Sequence, residues 1–114
     1  MTPRVFIPQV PARFDKATGL WIPSVDLSAA QLFGETVHLM PPDAHSNRLP
    51  MSAITPVLQE KLSDFSRADF LVCCGSPAIS HAAAIIASQR TDGHLRILEW
   101  DKYQRGYKAI QITT

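Results

Sequence analysis

The chain has 114 residues, of which 46% are hydrophobic and 18% are charged. This length suits one domain, expected to span residues 1–114, and the composition is globular rather than disordered. The 11 Lys and Arg residues nearly balance the 10 Asp and Glu residues, which argues against a broad basic face for nucleic acid or anionic lipid.

The proline-rich first third predicts an irregular hairpin or flap over residues 1–26. Residues 4–10 are β-prone, but Pro8 cannot donate to a ladder, so they fit an edge strand or an extended arm. A turn at 15–19 leads into a return segment at 20–25. The N-terminus does not have the pattern of a signal peptide, and no run reaches the ~20 apolar residues of a membrane span, so we expect a cytoplasmic protein.

The next segment predicts a short helix, a strand and a long loop. Asp26 or Ser28 can cap a helix over 28–33. Residues 35–40 alternate in polarity, as a strand does. The loop at 41–50 is longer than usual connections, and such loops often carry function.

An amphipathic helix is predicted over 51–66, because its apolar residues recur at spacings of three and four. Pro56 fits only in a first turn, so regular helix is expected to start near Thr55.

The most informative stretch is 69–90, an apolar strand (69–74) followed by a tight turn and an alanine-rich helix (77–90). Two further strands, 95–100 and 107–112, are joined by a short polar turn and read as a hairpin. The whole order predicts a small α/β sandwich. It has a mixed sheet of four or five strands, three of them parallel at its centre, an antiparallel C-terminal edge strand, and two or three helices.

The turn at Gly75, Ser76 and Pro77 admits two interpretations. Its backbone N–H groups, with that of Ala78, can hold a phosphate or carboxylate at the start of the helix. More simply, Ser76 caps the helix and Pro77 occupies its first turn. No Walker or dinucleotide-binding motif accompanies the turn, so the simpler interpretation is favoured.

No catalytic or metal-binding pattern is found. Cys73 and Cys74 are adjacent and are interpreted as small buried apolar residues, without a disulfide partner. The four histidines have no ligand spacing between them: His38, His45, His81 and His94. We therefore expect no catalytic residue, no metal and no cofactor.

The C-terminal hairpin interleaves aromatic and basic side chains: Trp100, Lys102, Tyr103, Arg105, Tyr107 and Lys108. Such a set can form a protein contact, because Trp, Tyr and Arg dominate interface hot spots. It can also stack bases and neutralise phosphates, although the balanced net charge disfavours nucleic acid. An ordinary solvated hairpin tip is the third reading.

Four segments carry a resemblance: DKATGLWIPSVDLS, FGETVHLMPP, DFLVCCGSPAISHAAAIIA and LRILEWDKYQRGYKAIQI. In their layout they resemble small uncharacterised proteins of tailed bacteriophages, over most of the chain. The resemblance implies a viral accessory role, acting on a host protein. It transfers no functional residues, since it carries no catalytic motif.

These observations favour a non-enzymatic binding or regulatory protein that acts through a protein partner, by way of the C-terminal hairpin, the 41–50 loop, or both. A protein or enzyme that binds a nucleotide or phosphate at Gly75–Pro77 is the first alternative. A nucleic-acid binder that uses the hairpin is the second. A monomer and a specific homodimer fit the sequence equally well.

Overall fold

The computed structural model describes residues 2–42, 44 and 49–114. Its elements in chain order are β1 (Arg4–Gln9), β2 (Ala12–Asp15), β3 (Leu20–Pro23), a 3₁₀ helix (Ser28–Leu32), β4 (Glu35–Met40), α1 (Met51–Lys61), β5 (Phe70–Val72), α2 (Pro77–Arg90), β6 (His94–Asp101) and β7 (Gly106–Thr113). Strands β2 and β3 form a separate hairpin, and the other five strands form one sheet. The predicted α/β class is confirmed.

The five-stranded sheet has the order β4-β1-β5-β6-β7. Its three central strands, β1, β5 and β6, are parallel to one another, and β4 is parallel to β1. Strand β7 adds antiparallel at the edge beside β6. The predicted parallel centre and antiparallel C-terminal edge strand are therefore confirmed.

The placement of residues 4–10 at the edge or in an arm is wrong, because β1 lies between β4 and β5. Pro8 is tolerated there for a local reason. Only Val5 and Phe6 pair with β5, so that ladder has ended before Pro8, while Ile7 and Gln9 pair with β4 on either side of it. A proline costs a ladder bond only where one would have formed.

Both α-helices pack on one face of the sheet. Phe6, Leu71 and Leu95 point to this face and join buried side chains of both helices: Ile54, Leu58, Ile79, Ala83, Ile86 and Ala87. The small alanines let α2 lie close to the strands, since a methyl group adds little depth to the contact. This face holds the larger of the two apolar cores.

The opposite face has a thinner cover. Its core contains Val5, Ile7, Phe70, Val72 and Leu98. The 3₁₀ helix contributes the fully buried Ala30, and half-buried residues around it complete the layer: Val10, Leu27, Phe33, Cys74 and Tyr107. Because no α-helix of the described residues packs on this face, it remains the less protected side of the sheet.

Helix α1 differs from its predicted bounds. It begins at Met51 and ends at Lys61, so Pro56 lies inside it rather than in its first turn. Pro56 and Ser52 are both exposed, so the Ser52 carbonyl that loses its i+4 partner faces water. Solvation of that carbonyl offsets part of the usual cost of an internal proline.

The direction of the chain across the sheet reverses at β1. Numbering the five strands in chain order gives 2-1-3-4-5, a common order of doubly wound α/β sheets. The connection from β1 to β4 crosses the sheet in one direction, and the connections to β5 and β6 cross it in the other. Because such crossovers are right-handed, the two kinds of connection must pass over opposite faces of the sheet. Ligands of such sheets bind at the carboxyl ends of the strands where the order reverses, here the ends of β1 and β5.

Candidate binding crevice and aromatic hairpin

A crevice of about 500 Å³ opens at the carboxyl ends of the parallel strands. Eight residues line it: Pro11, Val25, Asp26, Leu27, Cys73, Cys74, Trp100 and Tyr107. We call this site the crevice. It lies on the face without an α-helix, where the order of the strands reverses, and its volume is within the range of small-molecule sites.

Five separate segments build the crevice, among them β7, which contributes Tyr107. Pro11 follows β1, the two cysteines follow β5, and Trp100 lies near the end of β6. A further wall is the segment 25–27, which leads into the 3₁₀ helix. There the Ser28 N–H donates to Asp26 Oδ1 at 2.9 Å, and hydrogen bonding from Ser28 holds the pKa of Asp26 below its usual value. Asp26 is therefore an anion at neutral pH.

The sequence analysis interpreted both cysteines as buried, and for Cys73 this is wrong. Strand β5 ends at Val72, and Cys73 is exposed while Cys74 is half-buried. The Cys74 thiol donates to the Gln9 carbonyl at 3.3 Å. Burial raises the pKa of Cys74 to about 11, and partial burial with the nearby Glu99 carboxylate raises that of Cys73. Both thiols are thus protonated, and poor nucleophiles, at neutral pH.

The hairpin brings two of its six predicted contact residues into the crevice. Trp100 and Tyr107 face each other across β6 and β7, with ring centroids 5.2 Å apart in an edge-to-face arrangement. Burial raises the pKa of Tyr107, and the neighbouring Cys74 and Asp26 raise it further. Its hydroxyl therefore stays protonated beside the Asp26 carboxylate.

The turn of the hairpin extends beyond the crevice into solvent. Asp101 Oδ1 accepts from the N–H groups of Tyr103 and Gln104, at 2.9 and 3.2 Å, and this fixes the turn. The Tyr103 side chain is 88% exposed, with the Lys102 ammonium 5.5 Å from its ring centroid. Arg105 is exposed and has a φ of 53°. The Tyr103 ring is therefore accessible to a binding partner.

Lys108 lies apart from the aromatic pair. It pairs with Glu99 across the hairpin, and alternation along a strand puts both on the face opposite Trp100 and Tyr107. Of the three cations in the predicted contact set, Lys108 therefore projects from the other face of the hairpin than the Trp100 and Tyr107 rings.

The turn after β5 is held by Gln9, a residue that the sequence interpretation did not single out. Gln9 Oε1 accepts from the Ser76 N–H at 2.9 Å, while Gln9 Nε2 donates to the carbonyls of Pro41 and Ala44. The Ser76 hydroxyl makes no capping bond to α2. The Gln9 carboxamide thus occupies one of the donors that the phosphate hypothesis would use. The remaining members of that set, Gly75, Pro77 and Ala78, do not line the crevice.

In the sequence, Gln9 could have been noticed as a polar residue at the end of an apolar strand. In the structure only 5% of its surface is exposed. Such a residue usually has buried partners. The sequence alone could not show that those partners come from the 41–50 loop and the start of α2. Positions 43 and 45–48 of that loop, one of the two predicted contact surfaces, lie outside the described residues.

Among residues 2–42, 44 and 49–114, no three His, Cys, Asp or Glu side chains come together as a metal site would require. Over the same residues, no helix combines the length and apolarity needed to cross a membrane.

The sequence was compared with known proteins. The profile of the family described as Phage Pam3 gp32-like protein matches residues 3–114. No curated protein and no solved structure gives a significant match. Because the family match extends over nearly the whole chain, the resemblance to phage proteins is confirmed, and the chain belongs to the Phage Pam3 gp32-like protein family.

Proposed function

We propose that this phage protein is a non-enzymatic binding or regulatory protein, and that it contacts a host protein through the hairpin turn and the rim of the crevice. The observation that carries the proposal is the exposure of two aromatic side chains there. Trp100 is 47% and Tyr103 is 88% exposed. Tryptophan and tyrosine are the residue types most enriched among the energetically dominant contacts of protein interfaces.

The surroundings of these rings support a protein partner. The crevice next to Trp100 offers mostly apolar walls, and Val25, which also lines it, is 44% exposed. Aromatic side chains together with apolar surface are typical of the core of a protein interface. Membership of a phage family agrees with a host protein as the partner, since phage accessory proteins often act on the host.

The two alternatives have less support. A phosphate at the Gly75–Ala78 turn would find the Ser76 N–H already bound by Gln9, and in the adjacent crevice it would meet the negative charge of Asp26. A nucleic acid at the hairpin would meet Glu99 and Asp101 among the basic side chains. Like charges so close to a phosphate backbone weaken its binding.

Affinity capture from host lysate, followed by a binding measurement on the captured protein, tests the proposal. We expect Trp100→Ala and Tyr103→Ala each to weaken binding about 30-fold, the effect of losing a hot spot of ~2 kcal/mol. Ile85→Ala is the matched control, because Ile85 is 59% exposed on α2, and it should bind as the wild type does. Repeated recovery of no specific protein, or equal binding by all three variants, would contradict the proposal.

A further inference from the structure

The crevice has a charge pattern that the proposed contact does not by itself explain. Of its eight described lining residues, Asp26 carries the one full charge, and none is Lys, Arg or His. Its Oδ1 atom is anchored by the Ser28 N–H at 2.9 Å. Asp26 is exposed at the surface, and a carboxylate held there as the one charge among the lining residues favours a positive ligand group and disfavours an anion.

The aromatic side of the crevice favours the same kind of ligand. The Trp100 and Tyr107 rings meet edge to face at 5.2 Å, an arrangement that leaves a ring face available to a cation. Cations are attracted to the faces of such rings, and to tryptophan most strongly. The Tyr107 hydroxyl lies on the same wall and can accept a hydrogen bond from a donor in the crevice.

The remaining walls suit an aliphatic chain. Pro11, Val25 and Leu27 supply hydrocarbon surface to the crevice. A ligand matched to all of these walls has an apolar stem and a flat cationic head. An arginine side chain has both, and its planar guanidinium stacks on rings and pairs with carboxylates better than the ammonium of lysine does.

We propose that the crevice receives an arginine side chain of the host protein, with its guanidinium between Asp26 and the Trp100–Tyr107 pair. This inference rests on the proposed function and names the chemistry that the partner must present. The aliphatic part of the arginine lies against Val25 and Leu27. The hairpin turn at Tyr103 then contacts the surface of the partner around that arginine.

The experiment uses a small probe and needs no knowledge of the partner. N-acetyl-arginine methylamide is titrated into the full chain, and amide shifts are followed by NMR. N-acetyl-citrulline methylamide is the comparison, because it has the same shape without the charge. We expect the arginine probe to shift the Val25, Leu27, Cys73 and Cys74 amides and the Trp100 indole, and to bind about fivefold more tightly than the citrulline probe.

Asp26→Asn removes the charge and keeps an oxygen that can accept from the Ser28 N–H, so it should fold and should lose the preference for arginine. Asp15→Asn is the matched control. Asp15 plays the same local role, since its Oδ1 accepts from the Ala17 N–H at 3.1 Å, but it lies outside the crevice. This variant should keep the preference.

Equal binding of the two probes, shifts confined to other surfaces, or no shift up to about 50 mM probe would overturn the inference. The comparison of probes on the wild-type chain remains decisive even if Asp26→Asn does not fold. Failure of the probe titration would not contradict the proposed protein contact at Trp100 and Tyr103. Failure of the capture experiment with success of the probe would instead remove the proposed function and keep a cation site.

Discussion

Replacing Asp69 by Asn should lower the free energy of unfolding by about 3–5 kcal/mol, the usual cost of breaking a buried ion pair from one side. Asp69 is only 2% exposed. Its carboxylate accepts from Arg4 N at 3.0 Å, from Arg4 Nη2 at 2.9 Å and from Ser66 N at 2.9 Å. It therefore ties the start of β1 to the segment before β5. An Asn in its place turns an NH₂ group toward donors, and denaturant titration should show the loss.

Asp64→Asn is the matched control. Asp64 bonds to the same arginine, with Oδ2 2.9 Å from Arg4 Nη1, but its side chain is 70% exposed. Water screens such a pair, so the loss should be below about 1 kcal/mol. Equal losses of unfolding free energy in the two variants would contradict the claim that burial makes the Asp69 pair the stronger one.

The same pair predicts how stability responds to acid. Burial alone would raise the pKa of Asp69, but hydrogen bonds from Arg4 and Ser66 and the charge of Arg4 outweigh it and leave the pKa below its usual value of 3.8. A carboxyl with a lowered folded-state pKa stabilises the fold above pH 3.8, and that stabilisation is lost as the pH falls from there through the folded-state value. The Asp69→Asn protein should lose less stability than the wild type over this range.

Gly75→Ala should cost about 2–4 kcal/mol, through backbone strain and a clash together. Gly75 has a φ of +90°, and an added Cβ would lie 2.6 Å from the Gln9 carbonyl oxygen and 2.7 Å from Gln9 Cβ. Gln9 cannot retreat easily, because its side chain bonds to the Ser76 N–H and to the Pro41 carbonyl. Thermal or denaturant unfolding measures the effect.

Gly19→Ala separates the two contributions. Gly19 has a φ of +71° but no atom within 4 Å of an added Cβ. Gly19→Ala should therefore lower the free energy of unfolding through backbone strain alone, by about 1 kcal/mol. If both glycine variants lose the same stability, the inferred clash of an added Cβ at Gly75 with Gln9 of β1 is wrong. That result would also question the position of β1 in the middle of the sheet.

Local patterns predicted most of the elements. The alternation at 35–40, the alanine-rich helix at 77–90 and the C-terminal hairpin all appear within a residue or two of their predicted bounds. They share strong periodicity and clear turn residues, which short-range physics determines. The parallel arrangement of β4, β5 and β6 followed from the helices between them, although β1 rather than β4 lies in the centre of the sheet.

The position of β1 could not be predicted in this way. Its sequence, RVFIPQ, contains a proline that argues for an edge. The sheet accommodates Pro8 because the short β5 stops pairing with β1 at Phe6, and the length of a neighbouring strand is a tertiary fact. The internal Pro56 of α1 is a similar case, because exposure of the affected carbonyl decides its cost.

The hairpin was predicted as a contact surface from its composition, and that interpretation stays a prediction. The crevice beside it was not predicted. Its walls come from segments near positions 11, 26, 74, 100 and 107, and no spacing in the sequence connects all of them. The order of the strands in the folded sheet brings these segments to one place.

Photo-crosslinking in infected host cells tests the central claim, that the hairpin turn beside the crevice is the contact surface, most directly. p-Benzoylphenylalanine is placed at position 103, and in a second protein at position 85, on the opposite face of the sheet. We predict one discrete crosslinked host protein from position 103, lost when Trp100→Ala is added, and none from position 85. The same product from both positions, or a product from 103 that Trp100→Ala leaves unchanged, would contradict the account.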